Sequence, residues 1–350
     1  MATVLVLGAG VMGSAFCVPL ADSGNTVRLV GTHLDTASIE GIRNDRVHPR
    51  LRAPLPEAVR AFRHDELALA LDETVDLVVL GVSSAGIDWA IETLRPLLPG
   101  RRPVLLLTKG LRADGERIAV LPEPVAAGLD CPVGAVGGPC IAGELAVRRD
   151  SSVVVGFREA ALAESVLGML NARYYHARPS PDLVGTEVCA AFKNYFALGV
   201  GAALGMLDTA APTPNEARMH NPAAALFDQS LLELGRLNAA LGGRPESVHG
   251  LAGVGDLFVT VQAGRNSRMG RLLGAGWRYS RAKAERMAAD TVEGAELALA
   301  VGPALDAMFE DGRLRPDDLP LTRAIARAIR ADEILTIPWQ TFHHRHQEDS

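Results

Sequence analysis

Short apolar runs alternate with helix-period stretches through the first half of the chain, and the second half carries the helical period almost alone. The runs Thr3–Leu7, Thr26–Val30, Asp76–Leu80, Pro103–Leu107, Val133–Val136 and Ser152–Val155 read as strands. Several are unbroken in Val and Leu, the pattern of strands covered on both faces. Between them, Val11–Ala21 and Ile87–Leu98 read as helices. Strands alternating with helices predict an α/β architecture, a parallel sheet with crossover helices. Beyond about Ser180 the strand signals fade. Between Asn221 and Gly243, apolar residues at 227, 231, 234, 237 and 241 line one helical face, with Asn221 as N-cap, Pro222 in the first turn and Gly242-Gly243 past the end. Pro179 and Pro181 punctuate the change. The expected organisation is an α/β domain over 1–180, a helical domain over 181–342 and a polar tail over 343–350.

Length and composition agree with two domains. The chain has 350 residues, 48% hydrophobic and 22% charged, which is ordinary for a globular protein with ample core. A net charge of -6 argues against a nucleic-acid partner, which needs a basic surface. It does not argue against a small anion, which a few local cations can hold. Cys17, Cys131, Cys140 and Cys189 show neither Cys-x-x-Cys spacing nor histidines at zinc intervals, so reduced thiols are expected and no metal. The histidines among residues 343–350 read as part of a polar tail. Met1-Ala2 lead directly into the first strand, without a leader pattern. The apolar stretches read as too short or too interrupted to cross a bilayer, so the expectation is a cytoplasmic protein.

The first candidate chemistry is the turn Gly8-Ala9-Gly10-Val11-Met12-Gly13. A GxGxxG is weak evidence alone, but this one follows an apolar strand and opens a helix, the context a dinucleotide fingerprint requires. Gly8 permits the tight turn, Gly10 lets the backbone approach a pyrophosphate, and Gly13 lets the helix pack on the strand. Selection of NAD calls for an acid at the end of the second strand, to grip the ribose 2′-hydroxyl. Here that strand ends Val30-Gly31-Thr32-His33, and the first acid is Asp35. Without a carboxylate there, Thr32, His33 or Arg28 are free to accept a 2′-phosphate, which tilts the expectation slightly toward NADP. Asp35 serves instead if the chain curls back.

Lys193 stands in the run Val188–Leu198, where only it and Asn194 are strongly polar. A lysine there either snorkels to solvent or is functional. Helical spacing places Thr186, Ala190, Lys193 and Ala197 on one face, whose small residues leave room for a ligand. Lys109 follows a buried strand, where ligands of open parallel sheets bind, although solvated loop lysines are common. Asp256 follows the glycine-rich Gly250–Gly255 and reads equally as a helix N-cap, with Thr260 one turn on. Gly264-Arg265-Asn266 sets a guanidinium fork beside an amide, suited to phosphate or carboxylate.

In this order, the segments GAGVMG (8–13), TKGL (108–111), GGPCIAGE (137–144), TEVCAAFKNYFAL (186–198), GLAGVGDL (250–257), GRN (264–266) and VEG (292–294) resemble NAD(P)-dependent glycerol-3-phosphate dehydrogenase. The resemblance implies a Rossmann-type domain followed by an all-helical domain like the C-terminal domain of 6-phosphogluconate dehydrogenase. It implies NADP or NAD as cofactor, and reduction of dihydroxyacetone phosphate to sn-glycerol 3-phosphate for glycerophospholipid metabolism. It also implies a homodimer. Carried over by position, Lys193 would exchange the proton at the substrate C2 oxygen, with Asp256 tuning its ammonium and Lys109 completing the catalytic set. Substrate would be bound by Lys109, Gly138, Cys140, Lys193, Asn194, Asp256, Thr260, Gly264, Arg265 and Asn266. The cofactor would lie along Gly8, Ala9, Gly10, Val11, Met12, Gly13, Thr32, Lys109, Ala142, Arg265, Thr291 and Glu293.

The chain also departs from the family pattern. Val11-Met12 replace the usual aromatic or small polar pair, and Gly81-Val82-Ser83-Ser84 stand where Val-Pro is common. Cys140 replaces a Ser or Thr, Gly143 a frequent Lys, and the segment Leu207–Asn221 looks long. These differences motivate a second reading with another phosphorylated ketose or polyol phosphate, such as a four-carbon one. Ketopantoate reductase shares the two-domain plan, but Gly255-Asp256-Leu257 and Gly264-Arg265-Asn266 favour the phosphate enzyme. A non-catalytic NADPH sensor is the competing class. It has no need of Lys193, Asp256 and Arg265 together.

Overall fold

The computed structural model describes residues 1–98, 100–262 and 264–342. The expected tail, 343–350, lies outside the described residues. The first half contains β1 (Thr3–Leu7), β2 (Thr26–Val30), β3 (Val59–Phe62), β4 (Leu77–Leu80), β5 (Val104–Leu106), β6 (Leu111–Asp114), β7 (Arg117–Val120), β8 (Val133–Gly137), β9 (Ser151–Gly156) and β10 (Tyr175–Ser180). Its helices are α1 (Val11–Asp22), α2 (Thr36–Asp45), α3 (Leu67–Ala70), α4 (Ile87–Leu94), α5 (Pro122–Leu129), α6 (Ala142–Ala146) and α7 (Ala160–Leu170). The second half is helical: α8 (Leu183–Thr209), α9 (His220–Ala240), α10 (Pro245–His249), α11 (Asp256–Gln262), α12 (Arg265–Gly274), α13 (Tyr279–Arg286), α14 (Glu293–Glu310) and α15 (Pro320–Arg330). The chain divides into two compact units, one of residues 1–110 and 120–187, the other of 111–119 and 188–350.

The first unit is built on a sheet of order β10-β9-β8-β5-β4-β1-β2-β3. From β3 to β8 all neighbours are parallel, in register such as Leu7 opposite both Val30 and Leu80. β9 then enters antiparallel to β8, and β10 is parallel to β9. The expectation of parallel strands therefore fails at this one step, because an apolar run carries no record of its direction. Alternate residues of β1 feed two separate cores. Val4 and Val6 pack with the α1 and α7 side, while Leu5 and Leu7 pack with α4 and α5. Order reverses between β1 and β4, so the glycine turn after β1 sits at the switch point where doubly wound sheets bind ligands.

Edge strands β3 and β10 escaped the sequence reading, because Val59-Arg60-Ala61-Phe62 and Tyr175–Ser180 carry too little apolar character. The hairpin β6–β7 also escaped it. It turns at Gly115 (φ +59) and groups with the second unit, where β6 packs on α14.

α8, most of which belongs to the second unit, is long and apolar enough to cross a membrane by length and composition, which corrects the reading that the apolar stretches are all too short or too interrupted. Burial explains it, since 89% of its apolar window is inside the protein, and a helix apolar all round is a core helix. α8 and α12 approach closely through glycines on both sides. A Cβ on Gly201 would lie 2.5 Å from the Ser267 carbonyl oxygen, and one on Gly270 would lie 2.2 Å from that of Leu198. α9 begins at His220 with Met219 at the cap position, so Asn221 is inside the first turn rather than the N-cap. Pro222 still falls in the first turn, where its missing N–H costs nothing.

Candidate functional site

In the first unit the three fingerprint glycines divide their labour. Gly8 has φ +112, and a Cβ there would lie 2.8 Å from the Gly81 carbonyl carbon; one on Gly13 would lie 2.1 Å from the Gly8 carbonyl oxygen. Those two close the turn against the end of β4. Around Gly10 nothing stands within 4 Å of a built Cβ, which leaves the backbone open to a ligand. α1 begins at Val11 with no acid in its first turn, so its positive end is uncompensated. These residues fit a dinucleotide pyrophosphate.

The acid missing after β2 returns by way of Asp35. Its Oδ2 accepts hydrogen bonds from Ala9 N (3.1 Å), Thr32 N (2.8 Å) and Thr32 Oγ1 (2.8 Å). Thr32 is thus committed to Asp35. On the other side of Ala9, His48 is 1% exposed. Its Nδ1 accepts from Arg50 N and Leu51 N, so Nε2 carries the proton and donates to the Ala9 carbonyl at 3.1 Å. Burial holds the His48 pKa below its ordinary value, consistent with a neutral ring. Nothing in the local pattern of Arg46–Leu51 announces this role.

Past β5, Thr108 Oγ1 donates to the Val82 carbonyl (2.7 Å) and Lys109 Nζ donates to the Gly138 carbonyl (3.3 Å). Gly138 takes φ +123, which explains a glycine at the end of β8. Cys140 is half-buried, and Ala142 opens α6. Glu187 also belongs to this unit and was not anticipated as a site residue. It is fully buried, and neither carboxyl oxygen has a hydrogen-bond partner among the described residues. Burial pushes its pKa up to about 8, against the opposing pull of the Lys109 charge.

In the second unit Lys193 does not snorkel. It is 8% exposed, and its Nζ donates to Asp256 Oδ1 at 2.5 Å, with Asp256 1% exposed. Ala190 and Ala197 are buried as well, as is Thr186 at the end of the first unit. Asp256 is the first residue of α11, and a wide π-helical turn over Leu251–Gly255 delivers it. Gly253 is needed there, since a Cβ would stand 2.1 Å from the Val248 carbonyl oxygen. Thr260 Oγ1 donates to the Asp256 backbone carbonyl (2.6 Å) rather than to the carboxylate.

One turn along α8 from Ala190, Asn194 Oδ1 accepts from Asn266 Nδ2 (3.0 Å); Asn266 also donates to Glu293 Oε2 (3.3 Å) and accepts from Gly294 N (2.9 Å). Arg265 pairs with Glu293, so its fork is partly engaged. Gly264, with φ +138, caps α12. A Cβ on Gly294 would lie 2.3 Å from the Asn194 carbonyl oxygen, tying α14 to α8. Thr291 is exposed just before α14. The sequence blocks that fell at 193–194, 256–260, 264–266 and 293–294 thus form two bonded groups.

Comparison with known proteins gives the family. The family described as NAD-dependent glycerol-3-phosphate dehydrogenase N-terminus matches residues 3–163, and that described as its C-terminus matches residues 182–335. The chain belongs to the NAD-dependent glycerol-3-phosphate dehydrogenase family. Among curated relatives, the NADP(+)-dependent glycerol-3-phosphate dehydrogenase of Archaeoglobus fulgidus is 33% identical over 83% of this chain and 86% of its own length. The glycerol-3-phosphate dehydrogenase [NAD(P)+] of Halorhodospira halophila is 35% identical over 85% of each. The crystal structure of glycerol-3-phosphate dehydrogenase from Coxiella burnetii superposes with a TM-score of 0.79 at 27% identity, covering 97% of both chains. As a member of this family, the protein is an NAD(P)-using oxidoreductase acting on a CH-OH group, with a Rossmann-type domain and a helical domain.

Proposed function

We propose that this dehydrogenase interconverts dihydroxyacetone phosphate and sn-glycerol 3-phosphate, with Lys193 as proton donor to, and acceptor from, the C2 oxygen. The buried Lys193–Asp256 pair carries the reading. Ketone reduction needs a hydride and a proton. The nicotinamide supplies the hydride when bound, and the glycine turn, with Asp35 and His48 fixing Ala9, suits its dinucleotide. The chain supplies the proton. An ammonium at a carbonyl oxygen stabilises the developing alkoxide and delivers the proton to it. Asp256 keeps that ammonium charged and pointed, which a buried lysine without a counterion would not stay.

Lys109, Arg265 and the amides of Asn194 and Asn266 are the groups suited to the phosphate and hydroxyl groups of a three-carbon substrate. Holding the remote phosphate orients the ketone, so binding energy is converted into alignment. For location we adopt the cytoplasm, and for assembly a homodimer, which light scattering on the purified protein tests. The decisive assay is oxidation of NADPH and NADH by the purified protein with dihydroxyacetone phosphate beside a four-carbon ketose phosphate. Turnover of the three-carbon substrate is expected. A much larger kcat/KM for the four-carbon compound would transfer the assignment to it, and no turnover of either would favour a nucleotide sensor.

A further inference from the structure

Asp256 holds Lys193 on one side of α8, and a second latch acts on the opposite side. Tyr195 comes two residues later, about 200° round a helix of 3.6 residues per turn, so it faces away from Lys193. It is 1% exposed, with its ring edge-to-face against Phe192 and Phe196. A phenol hydroxyl sealed among apolar groups needs a partner. It donates to the Thr322 carbonyl, in the first turn of α15, at 2.5 Å. Packing alone would leave the ring room to move, because Tyr195 lines a cavity of about 600 Å³ with Leu305, Phe309 and Ala326.

α15 is a firm anchor for that bond. Leu319 at its N-cap position offers no side-chain acceptor, and Pro320 has no N–H. The next two amides, Leu321 N and Thr322 N, donate instead to Glu233 of α9, each at 2.7 Å. The same carboxylate accepts from Thr322 Oγ1 (2.6 Å) and Gln229 Nε2 (2.7 Å). Glu233 is fully buried, and those donors are what make a carboxyl group tolerable there. At the far end of α15, both terminal nitrogens of Arg330 grip Asp306 of α14, at 3.1 and 2.6 Å.

We propose that Tyr195 and Glu233 are positioning residues for Lys193. Glu233 fixes the first turn of α15, the Thr322 carbonyl there holds the Tyr195 hydroxyl, and that bond sets the rotation of α8 that aims the ammonium. This rests on the reading of Lys193 as the proton donor. Lysine is long, so a small rotation of α8 carries its Nζ through a large arc. A displacement of about 1 Å at a reacting group costs about 10²-fold in rate. In this role neither residue meets the substrate.

The test compares Tyr195→Phe, Glu233→Gln and the double variant with the wild type, at saturating NADPH, in light and heavy water. Tyr195→Phe removes one oxygen and keeps the ring. Its kcat should fall about tenfold while KM for dihydroxyacetone phosphate stays within about twofold, and its solvent isotope effect should rise as proton delivery becomes limiting. A merely structural loss would lower Tm without moving the isotope effect; Ile329→Val, buried on the same helix, supplies that comparison. Because the two residues act in series, the double variant should be no slower than the slower single one. A wild-type kcat and isotope effect in Tyr195→Phe overturns the proposal, and so does a double variant whose losses multiply. If Glu233→Gln does not fold, Thr322→Val replaces it in the cycle, since it deletes only the side-chain donor to Glu233. If Lys193→Ala turns over at the wild-type rate, the reading of Lys193 is what fails. A slow Lys193→Ala beside an unimpaired Tyr195→Phe sinks the latch alone.

Discussion

Asp256→Asn tests the centre of the mechanism while changing little but charge. In the wild type the two charged atoms are 2.5 Å apart, and both side chains are nearly sealed from water. At an effective dielectric near 20, that separation gives an attraction of about 7 kcal/mol before desolvation is counted. Breaking such a pair from one side typically costs about 3–5 kcal/mol, because the remaining charge is buried unpaired. Lys193 has another way out. Losing its proton at pH 7, from an ordinary lysine value near 10.4, costs about 5 kcal/mol. The two costs are comparable, so the variant's lysine should sit close to half-deprotonated near neutrality.

Three readouts follow from that balance. kcat with dihydroxyacetone phosphate should fall about 10²-fold or more, because half of the lysines have lost the proton and the ammonium that remains is no longer held in place. The alkaline limb of the kcat profile should move down by about three pH units or more. Affinity for NADPH, followed by fluorescence, should stay near the wild-type value. In stability, the folded lysine then has a depressed pKa, and the unfolded chain binds more protons between that value and about 10.4. Urea denaturation should therefore show the variant recovering stability as pH rises across that window. If kcat stays within about threefold of wild type and the limb does not move, Asp256 does not sustain the Lys193 ammonium.

Other perturbations probe the supporting structure. Asp35→Asn removes the charge at the end of β2 while keeping one acceptor for Ala9 and Thr32, so the NADPH-to-NADH ratio of kcat/KM should rise about 10-fold or more, the size of one relieved repulsion; an unchanged ratio would mean Asp35 serves only the turn. Gly270→Ala places a Cβ 2.2 Å from the Leu198 carbonyl oxygen, where the nearest atoms are all Leu198 backbone. Overpacking of that kind costs about 1–3 kcal/mol or more, so calorimetry should find Tm lowered by several degrees and kcat reduced with it, and a wild-type Tm would contradict the seam between α8 and α12.

Much of the site was legible because its residues sit in runs where they are chemically out of place. Lys193 and Asn194 interrupt an apolar helix, and Asp256 and Arg265 each follow glycines that buy them room. The glycine turn was legible because strand, turn and helix adjoin in sequence. What was not legible depends on chain segments meeting. Asp35 is displaced along the chain from the position expected of the acid, and only the curl of Thr32–Asp35 returns it to Ala9. His48 acts through Ala9, 39 residues away in sequence. In α9 the stripe at 227, 231, 234, 237 and 241 pointed to the right helix. Its most buried face, however, includes Gln229, Ser230 and Glu233, where Glu233 accepts from Leu321 N and Thr322 N at the start of α15. A buried acid serving another helix's first turn leaves no apolar trace. Strand direction at β9 was hidden because an apolar run carries no record of its direction.

The hairpin β6–β7 has a consequence for anyone who would recombine this enzyme. The chain leaves its first unit at residue 110, returns at 120 and leaves again after 187, so neither unit is one uninterrupted stretch of gene. A crossover placed in the interval between the two family segments, residues 163 to 182, would take the hairpin from one parent and α14, on which it packs, from the other. Residues 111–119 have to travel with 188–342, and a viable exchange of helical domains is therefore a three-cut operation.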